Sequence, residues 1–448
     1  MGKLFGTDGI RGVANKELST DLAYKTGLAL GHSIMSRNLE NRVIIGRDTR
    51  ISGTLIESAM VSGLMSMGVN VDIGGVMPTP CVAYLTRNFG YGAGVVISAS
   101  HNPYYYNGIK IFSNDGYKLP DDVEEGLEDL ILSDTKIYNH LTHDKIGILN
   151  YRFDIKNEYV NYLKNTVNLD LHGLKIGIDA GNGALYEIAK TLLCDLGADI
   201  IVINDSPNGC NINLECGSTN SALIKNLVIE KGLDMGMSFD GDADRIIAVD
   251  DNGDEVDGDH ILAICATYLK DNNKLKNNTV VGTIMSNIGL RKYLSSIGVE
   301  LINTKVGDRY VIEEMKKNDF ILGGEQSGHI IFLDYNTTGD GLATGLHLLE
   351  VMKKTGKKLS ELNKLMTSYP QVLVNAKVRG DLKHKYMDFD DVVSRINELE
   401  SSFMGSGRVV IRPSGTEDLV RVMIEGEDRD FIEKKAVELA NFIEERLG

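Results

Sequence analysis

"RVIIGRDTR" (residues 42–50) is where the fold becomes readable. A short apolar run breaks into a polar loop and a helical pattern follows, as expected of a buried strand feeding a helix. The arrangement returns as "LKIGIDAGNG" (174–183) and again as "TVVGTIMSN" (279–287). In each copy the helix runs out at a glycine before a new strand: "MGVNVDI" (67–73), "LGADIIVI" (196–203) and "IGVELIN" (297–303). Glycine suits that place because it takes the left-handed C-cap conformation without strain. A third strand follows in each copy: "GAGVVISASHNP" (92–103), "LDMGMSFDGDADR" (233–245) and "DFILGGEQSGHI" (319–330). In the first two copies a tight turn comes next, in "SNDGYK" and "DDNGDE", where Asp-Gly and Asn-Gly favour hairpins.

Strands alternating with helices in a repeat predict three related α/β domains with largely parallel, mixed sheets. Their expected extents are 1–152, 153–252 and 253–368. Residues 369–448 break the pattern, with strands in "QVLVNAKV", "GRVVIRPSG" and "LVRVMIEG" and one closing helix, "RDFIEKKAVELANFIEERL". That reads as a small C-terminal α+β domain, with Pro370 as a linker mark. The polar motifs of the three copies fall at equivalent places, just past the third strand. Ligands of open α/β sheets bind outside the carboxyl ends of the strands, so the domains are expected to surround one central cleft.

At 448 residues the chain exceeds what a single core organises. A net charge of −16 argues against general nucleic-acid binding but leaves an anionic small substrate open. No run reaches the roughly 18 apolar residues of a membrane span, and "MGKLFGTDGIRG" lacks the apolar core of a signal peptide. The five cysteines (Cys81, Cys194, Cys210, Cys216, Cys265) are scattered, as in reduced thiols. A cytoplasmic protein is the expectation.

Four motifs carry chemistry. In "DGDADR", Asp240, Asp242 and Asp244 are two apart; a strand puts them on one face, a tight loop wraps them round one point. Carboxylates that close repel unless a cation sits among them, and hard oxygen ligands suit Mg²⁺. An EF-hand is disfavoured: its sixth position holds Arg245 instead of Gly and its twelfth Asp251 instead of Glu. In "SASHNP", Ser98 and Ser100 face opposite ways if the segment is extended, with His101 adjacent and Lys110 a hairpin arm away. A Ser-His-Asp hydrolase is one reading, but no G-x-S-x-G elbow is present. In "GGEQSGHI", alternation puts Glu325, Ser327 and His329 on one side, a set able to hydrogen-bond vicinal sugar hydroxyls. "RPSGTED" reads as an anion cradle: Ser414, Gly415 and Thr416 supply donors while Arg412 and Arg421 add charge. Arg11, in the glycine-rich "FGTDGIRG", again suits phosphate. No P-loop or dinucleotide fingerprint is present. A hydroxyl nucleophile, a metal loop, a polyol reader and a separate phosphate grip together point to moving phosphate within a sugar phosphate.

With "FGTDGIRG", "SASHNP", "DGDADR", "GEQSGH", "TTGDG" and "RPSGTE" in this order, the whole chain resembles the α-D-phosphohexomutase superfamily. "SASHNP" and "EQSGH" look like its glucosamine branch. The resemblance implies that Ser100 is phosphorylated in the active enzyme. It implies one Mg²⁺ on Asp240, Asp242 and Asp244, with the phosphoserine supplying a further oxygen. Arg245, Arg11, His101 and Lys110 match residues near the transferring group. Glu325 and Ser327 match sugar contacts, with His329 in the same loop. Arg412, Ser414, Gly415, Thr416 and Arg421 match the loop holding the non-transferred phosphate. The implied reaction interconverts glucosamine 6-phosphate and glucosamine 1-phosphate through a sugar bisphosphate, supplying UDP-N-acetylglucosamine synthesis. The implied partner is a small sugar phosphate, with no nucleic acid and no membrane, and there is room for a homodimer. A phosphomannomutase or phosphoglucomutase of the same superfamily and a non-catalytic sugar-phosphate sensor are the alternative readings. Two positions depart from the glucosamine pattern: Tyr106 stands where Asp is usual, and Asp418 where Pro is usual.

Overall fold

A computed structural model of the chain describes residues 4–6, 8–133, 138, 140–414 and 418–448. The first sheet has seven strands: β1 (Phe5–Gly6), β2 (Gly9–Val13), β3 (Arg42–Arg47), β4 (Asn70–Val76), β5 (Ala93–Ile97), β6 (Tyr106–Ser113) and β7 (Leu149–Tyr151). Their spatial order is β1-β2-β6-β5-β3-β4-β7. The second sheet holds β8 (Lys175–Asp179), β9 (Asp199–Ile203), β10 (Met235–Phe239), β11 (Ile246–Asp250) and β12 (Glu255–Val256), in the order β12-β11-β10-β8-β9. The third holds β13 (Thr279–Thr283), β14 (Glu300–Thr304), β15 (Leu322–Gly324) and β16 (Ile330–Phe332), in the order β14-β13-β15-β16.

The repeat is thus a sheet unit: β6-β5-β3-β4, β11-β10-β8-β9 and β16-β15-β13-β14 are one arrangement built three times. In each, the first strand pairs in parallel with the second and the third, and the fourth returns antiparallel to the third. Gly68, Gly197 and Gly298, which end the first helix of each copy, have φ of +82°, +91° and +69°, the left-handed conformation the pattern calls for. The three motif loops are therefore equivalent links between a third and a fourth strand.

The last sheet has β17 (Gln371–Lys377), β18 (Arg408–Pro413) and β19 (Leu419–Glu425), all antiparallel with β19 central. It carries the expected helix Arg429–Leu447 and a second one, Asp390–Ser402. The second helix was not expected. Its apolar residues, Val392, Val393, Ile396 and Leu399, do fall at helical spacing, and Ile396 and Leu399 pack against the domain's core, but of the helix only Val392 is fully buried.

One hydrophobic cluster runs from the first sheet's helix-covered face (Ile44, Met77, Val96) through the second domain (Ile178, Leu192) into the third (Val280, Leu346). The last domain has its own core around Val392, Val422, Ile432 and Leu439. Among the described residues no helix is long and apolar enough to cross a membrane.

Candidate active site

Ser100 lies just past β5 and its backbone has left the extended region, with φ +51°. For a residue with a Cβ that conformation costs on the order of 1 kcal/mol and persists only where surrounding contacts impose it. The extended geometry expected for "SASHNP" therefore does not hold. Ser98 and Ser100 are not on opposite faces; the Ser100 N–H donates to Ser98 Oγ at 2.9 Å. Ser98 Oγ in turn donates to the buried Asp48 at 2.6 Å. Ser98 is spent on structure, and Ser100 Oγ is the hydroxyl that points across the domain boundary, donating to Asp240 Oδ2 at 2.5 Å.

The metal loop takes the wrapped form. It turns through Ala243 at φ +57°, and one oxygen from each of Asp240, Asp242 and Asp244 comes within 4.8 Å of the others. Gly241 permits the approach: a Cβ there would sit 2.7 Å from the Ser100 carbonyl oxygen. Burial first, then the neighbouring Asp244 and Asp242, push the Asp240 carboxyl well above its usual range. Burial also opposes ionisation of Asp244, but Lys110 and His329 overcome it and hold this carboxyl well below the usual range. Asp242 Oδ1 and Asp244 Oδ1 are buried without a hydrogen-bond donor. Uncompensated buried carboxylate oxygens are costly, and a hard divalent cation would satisfy this all-oxygen set.

Cations crowd the same point. Lys110 Nζ lies 2.8 Å from Asp242, 3.2 Å from Asp244 and 3.1 Å from Asp8. Register explains its place: Lys110 pairs with Val96 across β5 and β6, next to the strand end that carries the serine loop. Arg245 donates from Nη1 to His101 Nδ1 at 2.7 Å. That nitrogen therefore accepts, although it is also 3.4 Å from Ser100 Oγ. Burial, then Arg245 and Arg11, push the imidazole down to about 4. A Ser-His-Asp triad is ruled out by this geometry, since a guanidinium occupies the nitrogen that would take the serine proton. Arg11 pairs with Asp8.

The third loop departs from expectation. Glu325, Gln326 and Ser327 form a turn between β15 and β16, with Gly328 at φ +88°, so strand alternation does not set their direction. Ser327 is exposed and Glu325 half-buried, its Oε1 accepting the Gly307 N–H at 3.1 Å. His329 does not share that opening. Its ring is buried, with Nδ1 3.6 Å from Asp244 and Nε2 accepting the Gly339 N–H at 3.0 Å. It backs a metal-loop carboxylate, which corrects its reading as a sugar contact.

Arg412 and Arg421 are direct cross-strand partners on β18 and β19. Like charges so placed are unfavourable without an anion between them. Burial and Arg421 lower the Arg412 pKa, and Arg412 Nε is buried without an acceptor. Ser414 follows, buried, its N–H donating to the Leu419 carbonyl at 2.8 Å. Gly415 and Thr416 lie outside the described residues.

Several participants escaped the sequence reading. Asp8 and Asp308 clasp Lys118 at 2.5 and 2.7 Å, and Arg309 reaches Glu124 at 2.8 Å, joining the first and third domains beside the cleft. Each is an ordinary charged residue until the fold brings it across more than a hundred positions. Arg50 had one signal: "GRDTR" puts arginines where "GIDAGNG" and "GTIMSN" have uncharged residues, while Asp48 recurs in the second copy as Asp179.

Phosphoglucomutase/phosphomannomutase domain families match this chain in order: alpha/beta/alpha domain I at residues 2–137, domain II at 157–253, domain III at 257–369 and the C-terminal domain at 373–442. A phosphoglucosamine mutase of Alkaliphilus oremlandii is 55% identical over 100% of both chains. A phosphoglucomutase/phosphomannomutase family protein of Burkholderia thailandensis shares the fold at TM-score 0.81, with 24% identity and 97% of each chain covered. An Aspergillus fumigatus N-acetylphosphoglucosamine mutase, solved in complex with GlcNAc-6P and magnesium, shares it at TM-score 0.67 and 17% identity, covering 99% of this chain and 96% of that one. Four domains in the family's order and full-length identity above one half settle the relationship: the chain belongs to the phosphoglucosamine mutase family, a branch of the phosphohexomutases.

Proposed function

We propose that this mutase interconverts glucosamine 6-phosphate and glucosamine 1-phosphate by way of a phosphoserine at Ser100. The observation that carries the reading is the 2.5 Å bond from Ser100 Oγ to Asp240, which joins the hydroxyl to the acidic loop. The phosphoryl group leaves Ser100 Oγ for the sugar 1-hydroxyl, whose proton passes to the freed Ser100 oxygen. The resulting 1,6-bisphosphate turns over in the cleft, and Ser100 Oγ takes the 6-phosphoryl while its proton passes to the freed 6-oxygen. Asp240, Asp242 and Asp244, with the phosphoserine, would hold Mg²⁺, which when bound withdraws charge from the transferring group. Arg11, Lys110 and Arg245 offset the remaining charge, and His101 lies beside the transferring group, its Nδ1 held by Arg245 and 3.4 Å from Ser100 Oγ. Glu325 and Ser327 read the sugar hydroxyls. Arg412, Ser414, Gly415, Thr416 and Arg421 hold the resting phosphate. The glucosamine assignment rests on the full-length relatives. The five free cysteines suit a reducing cytoplasm.

Intact-mass measurement of freshly purified enzyme is expected to show one phosphate, absent from Ser100→Ala, and the variant to lose turnover of glucosamine 6-phosphate. Equal phosphate on both proteins would move the carrier elsewhere. Faster turnover of mannose or glucose 6-phosphate than of glucosamine 6-phosphate would overturn the substrate.

A further inference from the structure

Arg50 is the largest fully buried side chain among the described residues. It follows β3 and reaches the serine loop fifty residues on. Its Nη2 donates to the carbonyls of Ser100 (2.8 Å) and Asn102 (2.7 Å), and its Nη1 to those of Pro103 (2.5 Å) and Tyr106 (3.2 Å). Its Nε donates to Asp48 Oδ2 at 2.8 Å. A guanidinium has five N–H donors, and here every one is used on the loop or on Asp48. Asp48 also accepts the Arg50 N–H at 2.9 Å and the Ser98 hydroxyl, and Ser98 Oγ holds the Ser100 N–H. Both peptide groups of the strained serine are thereby tied to one buried, charge-compensated pair.

The same turn also fixes the loop to the domain carrying the metal carboxylates. Thr49 Oγ1 donates to the Asn182 carbonyl, and the Ile51 N–H to that of Gly209 at 2.9 Å. From the other side, Asn213 Nδ2 donates to the Ser100 carbonyl at 2.9 Å. Arg50 has no donor left for a substrate, and Asp48 cancels its charge at contact distance. It acts through geometry.

We propose that Arg50 is a positioning residue: with Asp48 and Ser98 it imposes the left-handed Ser100 conformation that aims Oγ at the metal loop. The proposal rests on Ser100 being the phosphoryl carrier. Lysine keeps the charge of Arg50 but lacks its planar fork of donors. Arg50→Lys is therefore expected to lower kcat about a hundredfold, the cost of roughly an ångström of misplacement, with KM for glucosamine 6-phosphate nearly unchanged. Ser98→Ala and Asn213→Ala each remove one tie without stranding a buried charge, so they test the idea even if Arg50→Lys does not fold. Each is expected to lower kcat about tenfold at constant KM and to shift the ³¹P resonance of the phosphoserine. Wild-type kcat in both of these variants, or losses confined to KM or to thermal stability, would overturn the proposal. Ser100→Ala separates the two readings. If it keeps its phosphate and turnover, the carrier assignment fails; if it is inactive while Ser98→Ala and Asn213→Ala match the wild type, only the role of Arg50 fails.

Discussion

Asp259 sits in the first turn of helix Gly258–Asp271, fully buried, with one oxygen accepting the Asn287 N–H at 2.7 Å and the other without a donor. A helix N-terminus favours a carboxylate. Burial outweighs that, and with Asp257 nearby it pushes the carboxyl up to about 8. The folded protein therefore keeps a proton here that the unfolded chain releases near pH 4. A raised acid contributes stability that is complete below the unfolded value and is lost as pH climbs through the folded one. Between about pH 4 and 8 this residue alone is expected to lower stability by up to about 1.4 kcal/mol per pH unit. Thermal unfolding followed across that window should show a shallower decline in Asp259→Asn than in the wild type. Parallel curves would mean that Asp259 is ionised in the folded state.

At the scale of elements, helices Thr20–Ser36 and Gly53–Ser66 pack closely because two glycines meet at their crossing. A Cβ on Gly27 would lie 2.3 Å from the Met60 carbonyl oxygen, and one on Gly63 at 2.3 Å from that of Tyr24. Alanine gains about 1 kcal/mol over glycine in a helix interior. Overpacking a fixed contact costs about 1–3 kcal/mol, and here the obstacles are backbone atoms that cannot turn aside. Gly63→Ala should accordingly lower stability by up to about 2 kcal/mol in denaturant titration. A stabilised variant would show that the helices separate freely. This pair packs against the β3 and β5 residues Val43, Ile45, Val95 and Ile97, and β5 leads into the serine loop, so the close crossing belongs to the frame of the site. The repeat of strand, helix, glycine and strand was legible because each signal is local: an apolar run, then a glycine that can take positive φ. The direction of a side chain inside a loop was not. Ser100 leaves the extended geometry its neighbours suggest and is held by Arg50, fifty residues away, while the Glu325 carboxylate is aimed by the N–H of Gly307, distant in sequence.

For the whole molecule, one hydrophobic cluster runs through the first three domains, beside a second cluster inside the first, while the last keeps its own. Ser100, the three aspartates and Arg412 were legible in the sequence as candidates because they sit in compact motifs. The sequence did not show how the last domain is held against the rest, because that joint is polar and assembled from single residues far apart. Arg408 on β18 pairs with Glu425 on β19 at 2.5 Å and also donates to the carbonyls of Ile284 and Ser286 in the third domain. Glu425, completely buried, accepts the Ile288 N–H at 2.8 Å. This ion pair, with Gln371 donating to the Met285 carbonyl at 3.3 Å, therefore holds the sheet that carries Arg412 and Arg421 against the third domain. Removing one partner of such a pair costs about 3–5 kcal/mol because the other charge stays buried and alone. The last domain can relieve that charge by tilting away, its core being independent. If about 1.4 kcal/mol of the loss falls on substrate binding, Arg408→Ala raises KM for glucosamine 6-phosphate about tenfold. The change in kcat should be smaller, since Ser100 and the metal loop lie in other domains. Hydrogen exchange should show the amide of Ile288 losing protection in the same variant. An unchanged KM with Ile288 exposed would mean that Arg412 and Arg421 reach their place without the clasp.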